Sequence, residues 1–150
     1  MFTNIKNSLS KIERPLMYTL LISILLILLY MIFNLLFWMN TQAFIISNEI
    51  IINAKYAMEL SVIKNERIVY NFSYSPKTKS IQFYWVYGEN SKKTYLLPQL
   101  IPSGIRCTSP TNTYTFYFEN GKIYPEGEIL LSTHFSKRIV KFLKNGEVSF

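Results

Sequence analysis

The feature that most constrains the fold of this chain is a long stretch without charge. Residues 15–48 carry no charged side chain, and residues 16–39 are apolar apart from Thr19, Ser23 and Asn34. A helix of roughly 20 residues crosses the hydrocarbon core of a bilayer, which is about 30 Å thick. We therefore predict a transmembrane helix over residues 16–39.

The residues on either side of this stretch indicate that the helix is retained and how it is oriented. A secretory signal has a shorter apolar core that ends in small residues, whereas residues 37–40 include Trp38, a side chain suited to the membrane interface. Several cations precede the stretch, and the first cation after it is Lys55. The positive-inside rule then predicts a single-pass protein of the cytoplasmic (inner) membrane, with residues 1–15 in the cytoplasm and residues 40–150 outside.

Residues 40–66 predict an amphipathic helix that continues the span. The first glycine of the chain is Gly88, and residues 16–75 contain no proline. A continuous helix from about residue 16 to about residue 65 would be roughly 75 Å long. The alternative is a break after the span, followed by a separate amphipathic helix. Apolar residues spaced by three and four form one face, which we expect to pack on a folded domain: Ile46, Ile50, Ala54, Ala57 and Leu60.

From residue 67 onward the apolar period changes to two, which is typical of strands. Residues 67–74 and 81–87 predict a hairpin, and Asn120-Gly121 and Asn145-Gly146 predict tight turns. Residues 67–150 therefore predict one antiparallel sheet outside the membrane, with the amphipathic helix covering its apolar face. The predicted fold class is α+β, a long N-terminal helix packed on a small antiparallel β-sheet. The further predicted strands cover residues 95–97, 105–108, 114–118, 128–132, 137–143 and 147–150.

The composition excludes several kinds of functional site. All nine acids are Glu, and the chain has one His (His134) and one Cys (Cys107). Neither an intrachain disulfide nor a Cys/His metal cluster can form, and neither can a triad or metal cage that needs Asp. We therefore predict a protein that is not an enzyme, with no catalytic, metal-binding or cofactor-binding residues and no small-molecule substrate.

The order of elements and several motifs near the C-terminus carry a family resemblance. The motifs are Asn120-Gly121, Gly127, Leu131-Ser132, Arg138-Ile139-Val140 and Gly146-Glu147-Val148. With the long helix, they resemble the type IV pilins and, more closely, the H-type (FimT-like) minor pseudopilins of type II secretion. The chain is also similar to the pseudopilins of competence, the DNA-uptake systems.

The resemblance implies a structural subunit of a type II secretion, type IV pilus or DNA-uptake assembly, with a pilin-like fold. Its implied partners are other pilin or pseudopilin subunits, assembly-platform membrane proteins and the lipid bilayer. Family members carry a Gly before a Phe-Thr-Leu-Ile-Glu-like segment, and a prepilin peptidase cuts after that Gly before methylation. The nearest register here is Ser8, Leu9 and Glu13, without the glycine. The alternative for these residues is that they are ordinary membrane-flanking positions.

Two other functions are open at this point. The chain could be a single-span anchored β domain that binds a protein, wall or DNA partner without entering a filament, which the missing glycine favours. Aromatic strands beside the basic residues of 137–144 also allow nucleic-acid binding by stacking and charge. The period of two in these aromatic side chains favours instead the face of the sheet that packs against the helix.

Overall fold

The computed structural model describes the backbone of residues 2–150 and the side chains of residues 15–150. It divides into two compact units, Met1–Trp38 and Met39–Phe150. The α+β fold class is confirmed, with a long N-terminal helix whose second half packs on antiparallel sheets. Over residues 2–150 the elements are α1 (Phe2–Ile63), β1 (Ile68–Ser75), β2 (Ser80–Gly88), β3 (Thr94–Leu100), β4 (Arg106–Thr108), β5 (Thr115–Glu119), β6 (Lys122–Tyr124), β7 (Gly127–Ser132), β8 (Lys137–Phe142) and β9 (Val148–Ser149).

Helix α1 ends without the glycine that commonly terminates helices. Asn65 takes the left-handed conformation, with φ of 48°, which asparagine tolerates better than most residues. The Glu66 N–H donates to the Ser61 carbonyl over 3.3 Å, and the Lys64 N–H donates to the Leu60 carbonyl over 2.9 Å. These bonds satisfy carbonyls of the last turn, so the helix stops at Ile63, three residues before the predicted end.

The strands form two antiparallel sheets. Sheet A has five strands in the order β3-β2-β1-β5-β6, and sheet B has four in the order β4-β7-β8-β9. The expectation of a single sheet was wrong. Both sheets carry apolar residues on one face, and one helix about 10 Å wide cannot cover nine strands spaced about 4.8 Å apart. Splitting lets the two apolar faces bury each other, as in β-sandwiches. Phe142 of β8, for example, stacks on Phe116 of β5 with ring centroids 4.0 Å apart.

The Asn-Gly pairs close turns in two different ways. Asn120 and Gly121 both have positive φ, 50° and 74°, as a two-residue type I′ hairpin turn requires. This turn pairs β5 with β6, a short strand that the sequence did not predict. At the second pair only Gly146 has positive φ, at 89°, and its N–H donates to the Leu143 carbonyl.

Candidate functional site

In the unit Met1–Trp38, the side chains of α1 that the structure describes are mostly apolar and exposed. Apart from the half-buried Leu36, the large apolar residues between Leu16 and Trp38 are exposed, most of them by more than half. The helix is long and apolar enough to cross a membrane. Because exposing so many adjacent apolar side chains to water is unfavourable, their length and composition suit a lipid environment.

Three polar side chains of this unit that the structure describes bond to carbonyls of their own helix. The Thr19 hydroxyl donates to the Leu16 carbonyl and the Ser23 hydroxyl to the Thr19 carbonyl, both over 2.8 Å. The Asn34 amide donates to the Tyr30 carbonyl over 2.9 Å. At 3.6 residues per turn, Thr19, Ser23 and Asn34 fall within an arc of about 60°. Their oxygens can accept further bonds, so one side of this helix is suited to bind another helix in lipid.

In the unit Met39–Phe150, one face of α1 is buried against the sheets. We call this face the inner stripe. Ala43 joins it one turn before the residues expected from the sequence. Three alanines lie on this stripe, and their small side chains let the helix approach the sheets closely. The five residues expected on the packing face are all at most 7% exposed: Ile46, Ile50, Ala54, Ala57 and Leu60.

A second face of the same segment, centred about 125° around the helix from the inner stripe, carries another apolar row, which the sequence analysis missed. Ile45, Ile52, Tyr56 and Ile63 are separated by seven, four and seven residues and are 41%, 63%, 45% and 72% exposed. At 100° per residue they fall within an arc of about 40°. We call them the outer stripe. The spacing was visible in the sequence, but the sequence analysis considered only the row that packs on the domain.

The most deeply buried polar groups lie between α1 and the sheets. The Tyr70 hydroxyl is fully buried and faces Asn53 without a well-formed hydrogen bond. The Tyr84 hydroxyl donates to a Glu49 carboxylate oxygen over 3.4 Å. Burial raises the pKa of Tyr70 well above its ordinary value and raises the pKa of the Cys107 thiol to about 12. These groups stay protonated at neutral pH, which suits them to packing and not to nucleophilic chemistry.

Among the side chains that the structure describes, the remaining candidates from the sequence do not form a reactive cluster. Ser8, Leu9 and Glu13 lie outside the residues whose side chains the structure describes. His134 is exposed in the loop between β7 and β8, whereas Cys107 is buried in β4. Among the side chains of residues 15–150, no group of three or more His, Cys, Asp or Glu is placed to hold a metal ion.

Comparisons of the chain with protein-family models, with curated proteins and with solved structures find no match. The family resemblance therefore stays a prediction. Any function assigned to this chain has to be supported by the geometry of α1 and of the β domain.

Proposed function

We propose that this protein is a pilin-like minor pseudopilin, a non-enzymatic subunit that assembles in the cytoplasmic membrane through its long helix. In this proposal residues 16–39 cross the bilayer, residues 1–15 lie in the cytoplasm and residues 40–150 lie outside. Its partners are other pilin or pseudopilin subunits and the membrane proteins of a secretion, pilus or DNA-uptake assembly.

The observation that carries the proposal is the outer stripe. A helix that served only to anchor and support its own β domain would need one apolar row, but this helix has two. Ile52 and Ile63 are 63% and 72% exposed although they sit in regular turns of α1. Apolar residues repeated at heptad-like spacing are the pattern with which helices pack on other helices. The outer stripe therefore supports a subunit–subunit contact along α1.

The membrane segment supports the same contact by a different mechanism. Lipid is as apolar as leucine, so helices associate there through close packing and polar bonds between helices. Thr19, Ser23 and Asn34 lie on one side of the segment and retain acceptor oxygens. Ile32 lies about 160° away from Asn34 around the helix and has no polar group to offer.

The proposal is tested by substituting Ile52 in the full-length protein, purified from its native membrane in mild detergent. We expect the wild type to migrate as a multi-subunit complex of single-span chains and Ile52→Glu to migrate as a single chain. Ile52→Leu keeps the apolar surface and should keep the complex. Because the side chain is mostly exposed, Ile52→Glu should leave the unfolding temperature of the β domain unchanged.

A cysteine cross-linking experiment tests the membrane half separately. We expect Asn34→Cys to form an oxidised adduct with a neighbouring span, and Ile32→Cys, on the opposite side, to form none. The native Cys107 is buried and serves as an internal unreactive thiol. Equal cross-linking at both positions would contradict a defined contact face.

A wild type that migrates as a single chain would instead support the anchored β domain that never joins a filament.

The degenerate processing site needs its own measurement. The intact mass of the protein taken from its native membrane distinguishes a chain that starts at Leu9, with or without a methyl group, from one that starts at Met1. A start at Leu9 would support a working pilin-class subunit. A start at Met1 would remove processing from the proposal and favour the anchored domain.

A further inference from the structure

Three connections gather at one end of the β domain, and together we call them the rim. They are the β1–β2 turn (residues 75–80), the β3–β4 loop (residues 100–106) and the β7–β8 loop with the start of β8 (residues 132–138). Thr78 and Arg106 line the same surface hollow. Arg106 also pairs with Ser132 across β4 and β7, and the Ser132 hydroxyl donates to its carbonyl over 3.2 Å.

The rim is tied to the first residues of the helical segment that belongs to this domain. The Thr133 and Ser136 hydroxyls both donate to the Asn40 side-chain oxygen, the latter over 3.1 Å. Gly104 lies so close to Met39 that an added Cβ would come within 2.7 Å of the methionine methyl carbon. Asn40 directly follows the span predicted over residues 16–39, and each residue advances a helix by about 1.5 Å. If the span crosses the bilayer, the rim lies at the membrane surface.

The rim is strongly cationic. Lys77, Lys79, Arg106 and Lys137 are exposed and Arg138 is half-buried, while the three ranges that form the rim contain no Glu.

Carboxylates gather instead at the other end of the domain, beyond the last turn of α1. There Arg67 forms ion pairs with Glu89 over 3.2 Å and with Glu119 over 3.0 Å. Glu66 accepts a hydrogen bond from the Ser91 N–H at this end. The positive charge of the rim is therefore local, and it lies at the end of the domain where α1 enters.

Two large apolar side chains project from the rim among these cations. Leu100 is 75% exposed and Phe135, near the tip of the β7–β8 loop, is 67% exposed. Exposed apolar residues flanked by lysine and arginine are the combination with which peripheral segments enter the boundary between headgroups and acyl chains. A water-facing loop would be expected to carry polar residues at such positions.

We propose that the rim docks on the surface of an anionic bilayer, with Phe135 and Leu100 inserted at the headgroup boundary and Lys77, Lys79 and Lys137 against acidic lipid headgroups. This inference rests on the membrane anchoring in the proposed function but not on assembly with other subunits. Docking would hold the β domain against the membrane instead of leaving it to pivot on the span.

The test uses the full-length protein in nanodiscs that contain brominated lipids, which quench tryptophan near the acyl chains. One variant has Phe135→Trp as its sole tryptophan, with Trp38→Phe and Trp85→Phe. A second keeps Trp38 alone and reports anchoring. A third places the sole tryptophan at Asn90, in the β2–β3 turn at the opposite end of the domain. In anionic nanodiscs we expect strong quenching at positions 135 and 38 and none at position 90.

Charge is tested with two matched triple variants made in the Phe135→Trp protein. Lys77→Glu, Lys79→Glu and Lys137→Glu reverse the rim, and we expect them to lower the quenching at position 135 by about half or more, because each cation near an anionic surface contributes to binding. Raising the salt concentration to 1 M, where the Debye length is about 3 Å, should also lower the quenching at position 135. The control reverses the charge of three lysines at the opposite end of the β domain and should leave the quenching at position 135 unchanged: Lys92→Glu, Lys93→Glu and Lys122→Glu.

The outcomes separate the two proposals. If Trp38 is quenched but position 135 is not, the rim does not dock and this inference is overturned while anchoring stands. If the two triple variants act equally, the rim charges are not what binds, and the inference fails. If Trp38 itself is not quenched, the membrane span of the proposed function is wrong.

Discussion

Phe142 is the ring through which the two sheets are held together. It belongs to β8 in sheet B, is fully buried, and stacks on Phe116 of sheet A at 4.0 Å and 15°. It also meets Tyr70 and Phe72 of β1 edge to face, each at 6.2 Å. The informative change is therefore Phe142→Ala, which removes every one of these contacts and leaves the backbone pairing of β8 in place.

The size of the effect follows from this environment. A buried Phe→Ala change costs about 3–5 kcal/mol through lost transfer free energy and the cavity left behind. Aromatic pairs contribute about 0.5–1.5 kcal/mol each beyond burial, although such terms are not additive. The strands around the cavity are held by their hydrogen-bonded ladders and cannot collapse into it, so we expect a loss of about 4–5 kcal/mol. A domain of this size is stable by about 5–15 kcal/mol, so the variant should lose roughly a quarter or more of its stability.

The assay is urea unfolding of the full-length protein in detergent micelles, followed through Trp85 in a Trp38→Phe background. The matched control is Phe135→Ala, a Phe→Ala change at a side chain that is 67% exposed, which should change the free energy of unfolding by less than about 0.5 kcal/mol. A loss below about 1.5 kcal/mol for Phe142→Ala, with an unchanged denaturant slope, would refute the view that this ring couples the sheets.

Three further outcomes can be checked with the same unfolding assay. Gly146→Ala should lower the free energy of unfolding more than Gly121→Ala does. Both glycines have positive φ, but only a Cβ at position 146 would collide with a backbone oxygen, the carbonyl of Gly121. Burial raises the pKa of Cys107 from its ordinary 9.0 to about 12, so the free energy of unfolding should fall as the pH rises from about 9 to about 12. Cys107→Ala should make this fall less steep. A thiol that is alkylated readily in the native protein at pH 8 would contradict the burial. The Ser91 N–H donates to the Glu66 carboxylate and lowers the pKa of this carboxyl below its ordinary 4.5. This bond therefore stabilises the fold above pH 4.5, and the stabilisation disappears as the pH falls. Glu66→Gln should make the free energy of unfolding less dependent on pH in the acid range.

The sequence was most informative where the local pattern and the tertiary structure agree. A period of two predicted β1 and β2 to within a residue or two, because alternating residues on these strands face the core. The Asn120-Gly121 turn was predicted for a local reason as well, since it needs two residues that accept positive φ. Strand β6 was not predicted, because it is only three residues long and has no clear alternation of its own.

The candidate functional surfaces were predicted less completely. The residues of the inner stripe were expected from their spacing, but the outer stripe has an equally regular spacing and was overlooked. The rim was not predicted at all, because its cations come from three connections that are 20 or more residues apart in the chain. These segments are brought together by the pairing of Arg106 with Ser132, the pairing of Leu100 with Phe83 of β2, and the bonds from the β7–β8 loop to Asn40.

By itself, the sequence determined the features that depend on neighbouring residues: an apolar helix long enough for a bilayer, its continuation as a helix with an apolar face, and the positions of most strands. These features depend on period, length and turn chemistry, which act within a few residues. The tertiary structure alone decided that the strands form two sheets, that a second apolar row of α1 stays uncovered, and where the loop cations gather. Those features depend on which distant surfaces can bury each other most completely, and the packing of Phe142 on Phe116 across the two sheets is the contact that shows it.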